Sequence, residues 1–287
     1  MVYIFGKYIF LYIYIYMTKI LIILILILII IIINKKIIQI YINDIFFIIK
    51  MQYAHRIEYD NNLIISKEQS LIDIENIRIL IISFDNRTNL KYLELHNNNI
   101  INYCKKWKNM YYEFINKCDH NVYWCKLYLI LEKLNSNKYD YIMWMDTDSI
   151  IINNNLSLKE IVSSYSSDIF ISHDNIPITI NTLCSGVFII KNSANGKNFI
   201  HDCINYYEKS NCKTSNNKLL GIWAQKCYEQ GSMNYYIYEK YLDYTTILKS
   251  DIINNTNNCI KNSFILHKFG SSEEDIYKCF NNILRIK

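Results

Sequence analysis

Asp146 and Asp148 are the residues whose type and spacing most directly promise chemistry. They stand at the end of the apolar segment Tyr141–Met145, where both carboxylates can project near a sheet edge and share a divalent cation through oxygen ligands, with substrate phosphates completing the shell. A magnesium- or manganese-type site fits. The pair is not specific alone: 14 aspartates in 287 residues produce about 0.7 such pairs by chance, and a solvated turn at a strand end explains it equally well.

Other residues in the chain supply the context. Asp85, with Asn86 and Arg87, follows the apolar run 77–84 (IRILIISF). In open α/β sheets ligands bind beyond the carboxyl ends of strands, so these residues are candidate nucleotide contacts as well as an ordinary turn. Ser185 and Gly186 precede the apolar run 187–190, and Gly186 is one of only six glycines. Glu229 and Gln230 come after Trp223, and His267, Lys268, Phe269 and Gly270 follow the apolar run 264–266.

The elements that must position these groups alternate. The run 77–84 is short and β-branched, as expected of a strand buried on both faces of a parallel sheet. Residues 88–107 can form a helix, Met110–Ile115 a second strand, and 122–134 (VYWCKLYLILEKL) an amphipathic helix with Lys126, Glu132 and Lys133 on its polar side. Residues 139–152 (YDYIMWMDTDSIII) read as a strand that carries the two aspartates at its end and resumes as apolar sequence. Residues 168–172 form another strand running into His173, Asp174 and Asn175, and 199–208 is helical. Strands alternating with helices predict an α/β domain.

Composition bounds the rest. At roughly 150 residues per domain, 287 residues accommodate one large domain and an appendage. With 51% hydrophobic and 20% charged residues, the chain can bury a core and lacks the signature of disorder. A net charge of +5 without a basic run excludes the electrostatic footprint of a nucleic-acid binder. The nine cysteines contain no C-x-x-C pair, which excludes a zinc ribbon; disulfides are compatible with the odd count, with at least one thiol left over.

Residues 1–50 read as a membrane anchor whose core, 20–33, is an unbroken run of 14 Ile and Leu residues. That run is short of the roughly 20 residues needed to cross a bilayer, but the Tyr-rich stretch upstream or snorkelling by Lys19 and Lys35 closes the gap. No small-residue cleavage site follows, which points to an uncleaved signal anchor. The positive-inside rule, read literally from Lys35, Lys36 and Lys50 against Lys7 and Lys19, leaves the C-terminal bulk in the cytosol. Residues 51–74 turn polar and read as a stem before a catalytic domain at 75–287.

Over roughly residues 77–270 the order of motifs resembles glycosyltransferase family 34, the group of galactosyltransferases, fungal α-mannosyltransferases and plant xyloglucan xylosyltransferases. The resemblance rests on Trp124 and Lys126 at a helix start, on Trp144-Met145-Asp146-Thr147-Asp148, and on the block 185–193 (SGVFIIKNS). It also rests on Glu229-Gln230 after an upstream tryptophan and on His267 to Gly270. It implies a single GT-A type, Rossmann-like nucleotide-sugar-binding domain behind an N-terminal transmembrane signal anchor in the membranes of the Golgi or endoplasmic reticulum, with the catalytic domain lumenal. The implied reaction moves galactose, xylose or mannose from a UDP- or GDP-sugar to a glycan or glycoprotein acceptor, with retention at the anomeric carbon.

Carried over residue by residue, the resemblance assigns a Mn2+ (or Mg2+) ion to Asp146, Asp148 and His267, and the donor to Asp85, Trp124 or Lys126, Asp146, Ser185, Gly186 and Gly270. Gly186 would shape the pocket floor, where a bare backbone lets a ligand approach closely. Glu229 and Gln230 would stand beside the reacting sugar as the catalytic pair. Family members commonly carry cysteine or a basic residue after the final glycine, where this chain has Ser271 and Ser272, which leaves Lys268 as the candidate diphosphate contact. Asn86, Asn155 and Asn254 open N-glycosylation sequons, usable only in a lumenal domain. The rival readings are a GT-A transferase of another, inverting family, which needs a general base, and a catalytically inactive membrane-anchored glycan-binding protein.

Overall fold

The computed structural model describes residues 71–174, 182–213, 218–256 and 263–285, all within one compact unit, Met51–Lys287. The expected anchor, and the stem up to residue 70, lie outside the described residues. Among the described residues no helix is long and apolar enough to cross a membrane.

In chain order the elements are α1 (Leu71–Asn76), β1 (Ile79–Phe84), α2 (Leu93–Lys106), β2 (Met110–Ile115), α3 (Cys125–Asn135), β3 (Tyr141–Met145) and β4 (Ser149–Ile151). They continue with α4 (Leu158–Ser163), β5 (Ile169–His173), β6 (Leu183–Lys191), α5 (Ala194–Lys209), α6 (Glu229–Tyr236), β7 (Thr245–Leu248), α7 (Ser250–Ile253), β8 (Ile265–His267) and α8 (Glu273–Arg285). The main sheet has the order β2-β1-β3-β6-β5-β7, and β4 pairs with β8 in a small sheet of its own. β1 is parallel to both neighbours, as its continuous apolar run predicts, but β6 runs antiparallel to β3 and β5, so the sheet is mixed.

Period-two alternation divides the core. Leu80, Ile82, Ile142, Trp144 and Phe188 face one side, where α3 and α5 supply Leu127, Ile130, Phe199 and Ile200. Ile79, Ile81, Met143, Met145 and Val187 face the other, against Ile100 and Tyr103 of α2 and Leu158 and Val162 of α4. Each such side chain, fully buried, contributes about 1.5–3 kcal/mol of transfer free energy. A third cluster joins Ile150 and Leu266 of the small sheet to Ile276, Phe280 and Ile283 of α8, whose i, i+4, i+7 spacing makes one apolar stripe.

Two sequence expectations are corrected here. The stretch 139–152 is not one strand: β3 ends at Met145 and the chain turns through Asp146, Thr147 and Asp148 before β4 joins the other sheet. Short polar side chains are poor strand formers and good turn formers, so the chain bends where the carboxylates are. In α3, Glu132 faces outward, Lys133 is largely covered and pairs with Glu113 of β2 at 2.8 Å, and Lys126 is buried among the groups described below.

Disulfides join Cys118 to Cys125 and Cys212 to Cys227, while Cys104, Cys184 and Cys203 are free and buried. The Asn254 sequon is closed by the fold: the residue is fully buried and its side chain is bonded on both sides.

Candidate active site

The turn after β3 is held from several sides. The Asp146 amide donates to the Gly186 carbonyl at 2.8 Å, and the Ser149 hydroxyl donates to the Asp146 carbonyl at 2.6 Å. Trp144, two residues before Asp146 and so on the same side of the strand, donates its indole N–H to Asp146 Oδ1 at 2.6 Å. The antiparallel register sets Ser149 of β4 opposite His267 of β8, and the Lys268 amide donates to the Asp148 carbonyl at 2.8 Å. That register carries the His267 ring to Asp148, with Nε2 3.2 Å from Oδ1.

One ligand atom each from Asp146, Asp148 and His267 lies within 4.8 Å of the others. The tautomer of the histidine follows from its surroundings. Asn254 donates its amide nitrogen to the His173 carbonyl at 3.0 Å, which turns its oxygen to His267 Nδ1 at 2.8 Å. An oxygen can only accept, so Nδ1 carries a proton, while the buried Nε2 makes no well-directed hydrogen bond. A buried imidazole nitrogen facing two carboxylates, with its other nitrogen anchored, is the donor set of a divalent cation site. Burial alone would raise the carboxyl and lower the imidazole. Their mutual attraction prevails, so that Asp148 titrates below and His267 well above its usual range. Asp146, Asp148 and His267 Nε2 would hold such a cation, which would then stand where the second ring proton otherwise sits.

β6 brings Ser185 and Gly186 to the same point. A β-carbon on Gly186 would overlap the His267 ring. The bare backbone therefore makes room for the histidine ring rather than for a donor.

On the other side of Asp146 lies Lys126, whose side chain is only 9% exposed. Its ammonium lies 3.1 Å from Glu229 Oε1, 3.1 Å from the Ser185 carbonyl and 3.4 Å from Asp146 Oδ1. Burial works against a charged lysine, but the Asp146 and Glu229 carboxylates outweigh it and raise the pKa above the ordinary value. That pairing is why Lys126 sits inside although the helix pattern placed it outside. Glu229 opens α6, and the Ser185 hydroxyl lies within hydrogen-bond distance of both Glu229 Oε1, at 3.2 Å, and Gln230 Oε1, at 3.1 Å. The Gln230 amide in turn donates to Asp174 at 2.9 Å.

A cavity of about 560 Å³ is lined by Asp85, Asn86, Arg87, Lys126, Asp146, Asp148, Ser185, Glu229 and Gln230, and by the apolar and aromatic Val122, Tyr123, Trp223 and Tyr228. A smaller cavity shares Asp146, Trp223 and Gln230 with it and adds Asp174, Gly186 and His267. Asp85 lines the larger cavity, but its carboxylate accepts from the Arg87 amide, Nε and Nη2 and from the Thr147 hydroxyl, which fills its four acceptor positions. It ties the end of β1 to the Asp146–Asp148 turn and leaves Asn86 and Arg87 to face the cavity.

Trp124 does not line the cavity. It is fully buried, stacked on Tyr207 at 4.3 Å and bonded through Nε1 to the Cys227 carbonyl at 3.0 Å, because the helix turn that points Lys126 at the site points Trp124 into the core. Lys268 and Gly270 also lie outside both linings; Lys268 engages the site through its backbone amide. Arg87 takes its place in the cavity wall as the sequence expected of a nucleotide contact, whereas the parts played by Asn254, read only as a sequon, by Asp174, read only as following a strand, and by the Trp144 indole were not expected. Of these three, Trp144, a rare residue two before Asp146, carried a local signal.

A family model for nucleotide-diphospho-sugar transferases matches residues 76–271. No curated protein matches the chain. Among solved structures, a glycosyltransferase involved in the glycosylation of the major capsid of PBCV-1 superposes with a TM-score of 0.54 at 14% identity, over 71% of this chain and 99% of that one. That likeness is one of fold. The glycosyltransferase GlyE of Streptococcus pneumoniae TIGR4 aligns with a TM-score of 0.44 and 11% identity, over 74% of this chain and 63% of its own. The family match spans well over half the chain and runs from before β1 to just past Gly270, and on it the protein belongs to the nucleotide-diphospho-sugar transferases and is a glycosyltransferase.

Proposed function

We propose that the protein is a membrane-anchored, metal-dependent enzyme of the glycosyltransferase family 34 type. In this reading it transfers galactose, xylose or mannose from UDP or GDP to a glycan or glycoprotein, with retention, in the lumen of the Golgi or endoplasmic reticulum. The reading is carried by the convergence of Asp146, Asp148 and the anchored His267 beside a cavity whose other wall is the Lys126–Glu229 pair. The 14-residue Ile/Leu run supports the anchor, and the Cys118–Cys125 and Cys212–Cys227 disulfides support an oxidising compartment.

A divalent cation held by Asp146, Asp148 and His267 would supply Lewis-acid stabilisation of the diphosphate as the sugar leaves. The chain's own groups do the rest. Asn86 and Arg87 face the nucleotide end of the cavity. Glu229, fixed by Lys126 and Ser185, presents a carboxylate to the positive charge that develops at the anomeric carbon, and Gln230, fixed by Asp174, orients the sugar. The glycosyl–phosphate bond breaks as the bond to the acceptor oxygen forms. The acceptor proton leaves with the diphosphate.

The test is a donor screen on the full chain in detergent, with UDP-galactose, UDP-glucose, UDP-xylose and GDP-mannose, with and without manganese, beside Asp148→Ala. Manganese-dependent release of UDP or GDP that Asp148→Ala abolishes is the expected result. Folded protein that binds glycan and turns over none of the donors would make it a binding protein.

A further inference from the structure

We propose that a second cavity, of about 430 Å³ and outside the transfer site, is a saccharide-binding subsite that holds the acceptor glycan away from its reacting end. The inference rests on the transferase reading above. Its position is the first argument. Asp119, His120 and Asn121 line this cavity, and the next two residues, Val122 and Tyr123, line the transfer cavity. Asp119 and Tyr123 are four peptide units apart, which is at most about 14 Å. The opposite wall is shared in the same way: Cys212 lines the second cavity and is disulfide-bonded to Cys227, whose neighbour Tyr228 lines the first. The exposed Tyr123 ring, 5.0 Å from that of Tyr228, stands on the stretch that joins the two linings, and an oligosaccharide leaving the transfer site over it would run toward the second cavity.

The chemistry is the second argument. The exposed His120 ring stacks on Tyr128 with centroids 3.5 Å apart and planes 2° from parallel, a flat surface of the kind that covers the C–H face of a pyranose. Around it stand acceptors and donors for hydroxyl groups: the carboxylates of Asp119 and Glu208, the amide of Asn121 and the ammonium of Lys213. The Tyr128 hydroxyl donates to Glu208 at 2.8 Å, which holds that carboxylate in place. With two carboxylates, Asp119 and Glu208, against the one ammonium of Lys213, the lining disfavours a phosphate or an acidic sugar, and the ligand is a neutral glycan. The Cys118–Cys125 and Cys212–Cys227 bridges brace both walls, which reduces the ordering cost of binding.

The experiment offers the full chain in detergent to surfaces carrying defined neutral oligosaccharides of graded length, and reads manganese-dependent donor hydrolysis in parallel. The His120→Ala/Glu208→Gln variant is expected to lose at least about tenfold in retention by the longer saccharides while keeping donor hydrolysis within about twofold of wild type. Asp119→Asn should weaken retention in the same direction. Undiminished retention by both variants overturns the subsite, as does a wild-type chain that hydrolyses donor and is held by no saccharide. Absent hydrolysis together with His120-sensitive retention would remove the transferase reading and leave the cavity as a glycan site.

Discussion

The His267 imidazole lies so close against Gly186 that a β-carbon there would overlap Cε1 and stand 2.7 Å from Nε2, the nitrogen aimed at Asp148. Gly186→Ala must therefore push the ring away from the two aspartates. Manganese affinity, measured by calorimetric titration, should fall by about 10–100-fold, as for other disturbances behind a metal ligand. An unchanged affinity would show that the ring takes no part in binding the ion.

Metal removal should also lower thermal stability, because an ion that binds only the folded chain stabilises it by mass action, about 2.7 kcal/mol at a hundred times the dissociation constant. Melting curves in manganese and in chelator should differ for wild type. They should coincide for Asp148→Asn, which keeps the shape and removes the charge.

Lys126→Met leaves Glu229 and Asp146 facing each other without the buried cation between them. Loss of one partner from a buried pair costs about 3–5 kcal/mol. Denaturant unfolding should show that loss. The double variant Lys126→Met/Glu229→Gln should recover part of the stability and none of the transfer, since the second change removes a charge but also the carboxylate proposed to stand beside the sugar.

His96 gives stability a pH dependence of its own. Burial, opposed by the hydrogen bond to the Ser149 carbonyl, lowers its pKa from 6.5 to about 4. A ring that is neutral in the fold and protonates more easily when unfolded contributes its full stability above the unfolded value. As pH falls from 6.5 to about 4 that contribution is lost, up to about 3 kcal/mol. Urea midpoints across that window should decline in wild type and decline less in His96→Gln; equal slopes would remove the assignment.

Trp124→Phe keeps the stack on Tyr207 and deletes the bond to the Cys227 carbonyl. The cost should be about 1 kcal/mol of stability. Donor KM should not move, whereas a rise without unfolding would return Trp124 to the donor site.

The local half of this protein was written in its residue order. The β-branched run before Asp85, the alternation that places Leu80 and Ile81 on opposite faces, and the two aspartates after Met145 all depend on neighbours a few positions away, and they imply a layered α/β domain with a cation site at a strand end. The motif order extended that to His267, Glu229 and Gln230. Which groups meet was a matter for the tertiary structure. Pairing of β4 with β8 sets His267 against Asp148, and Asn254, which fixes the ring's tautomer, belongs to a helix end with no signal of its own. The same helix start offered Trp124 and Lys126 as donor contacts. Only packing decided that the indole stacks in the core while the ammonium stands between Asp146 and Glu229, because a lysine goes inside only where distant carboxylates compensate its charge. Asp85 was legible as a residue at the right strand end, but three of its acceptor positions are taken by Arg87 two residues on and the fourth by Thr147, which reaches it only once β1 and β3 lie side by side.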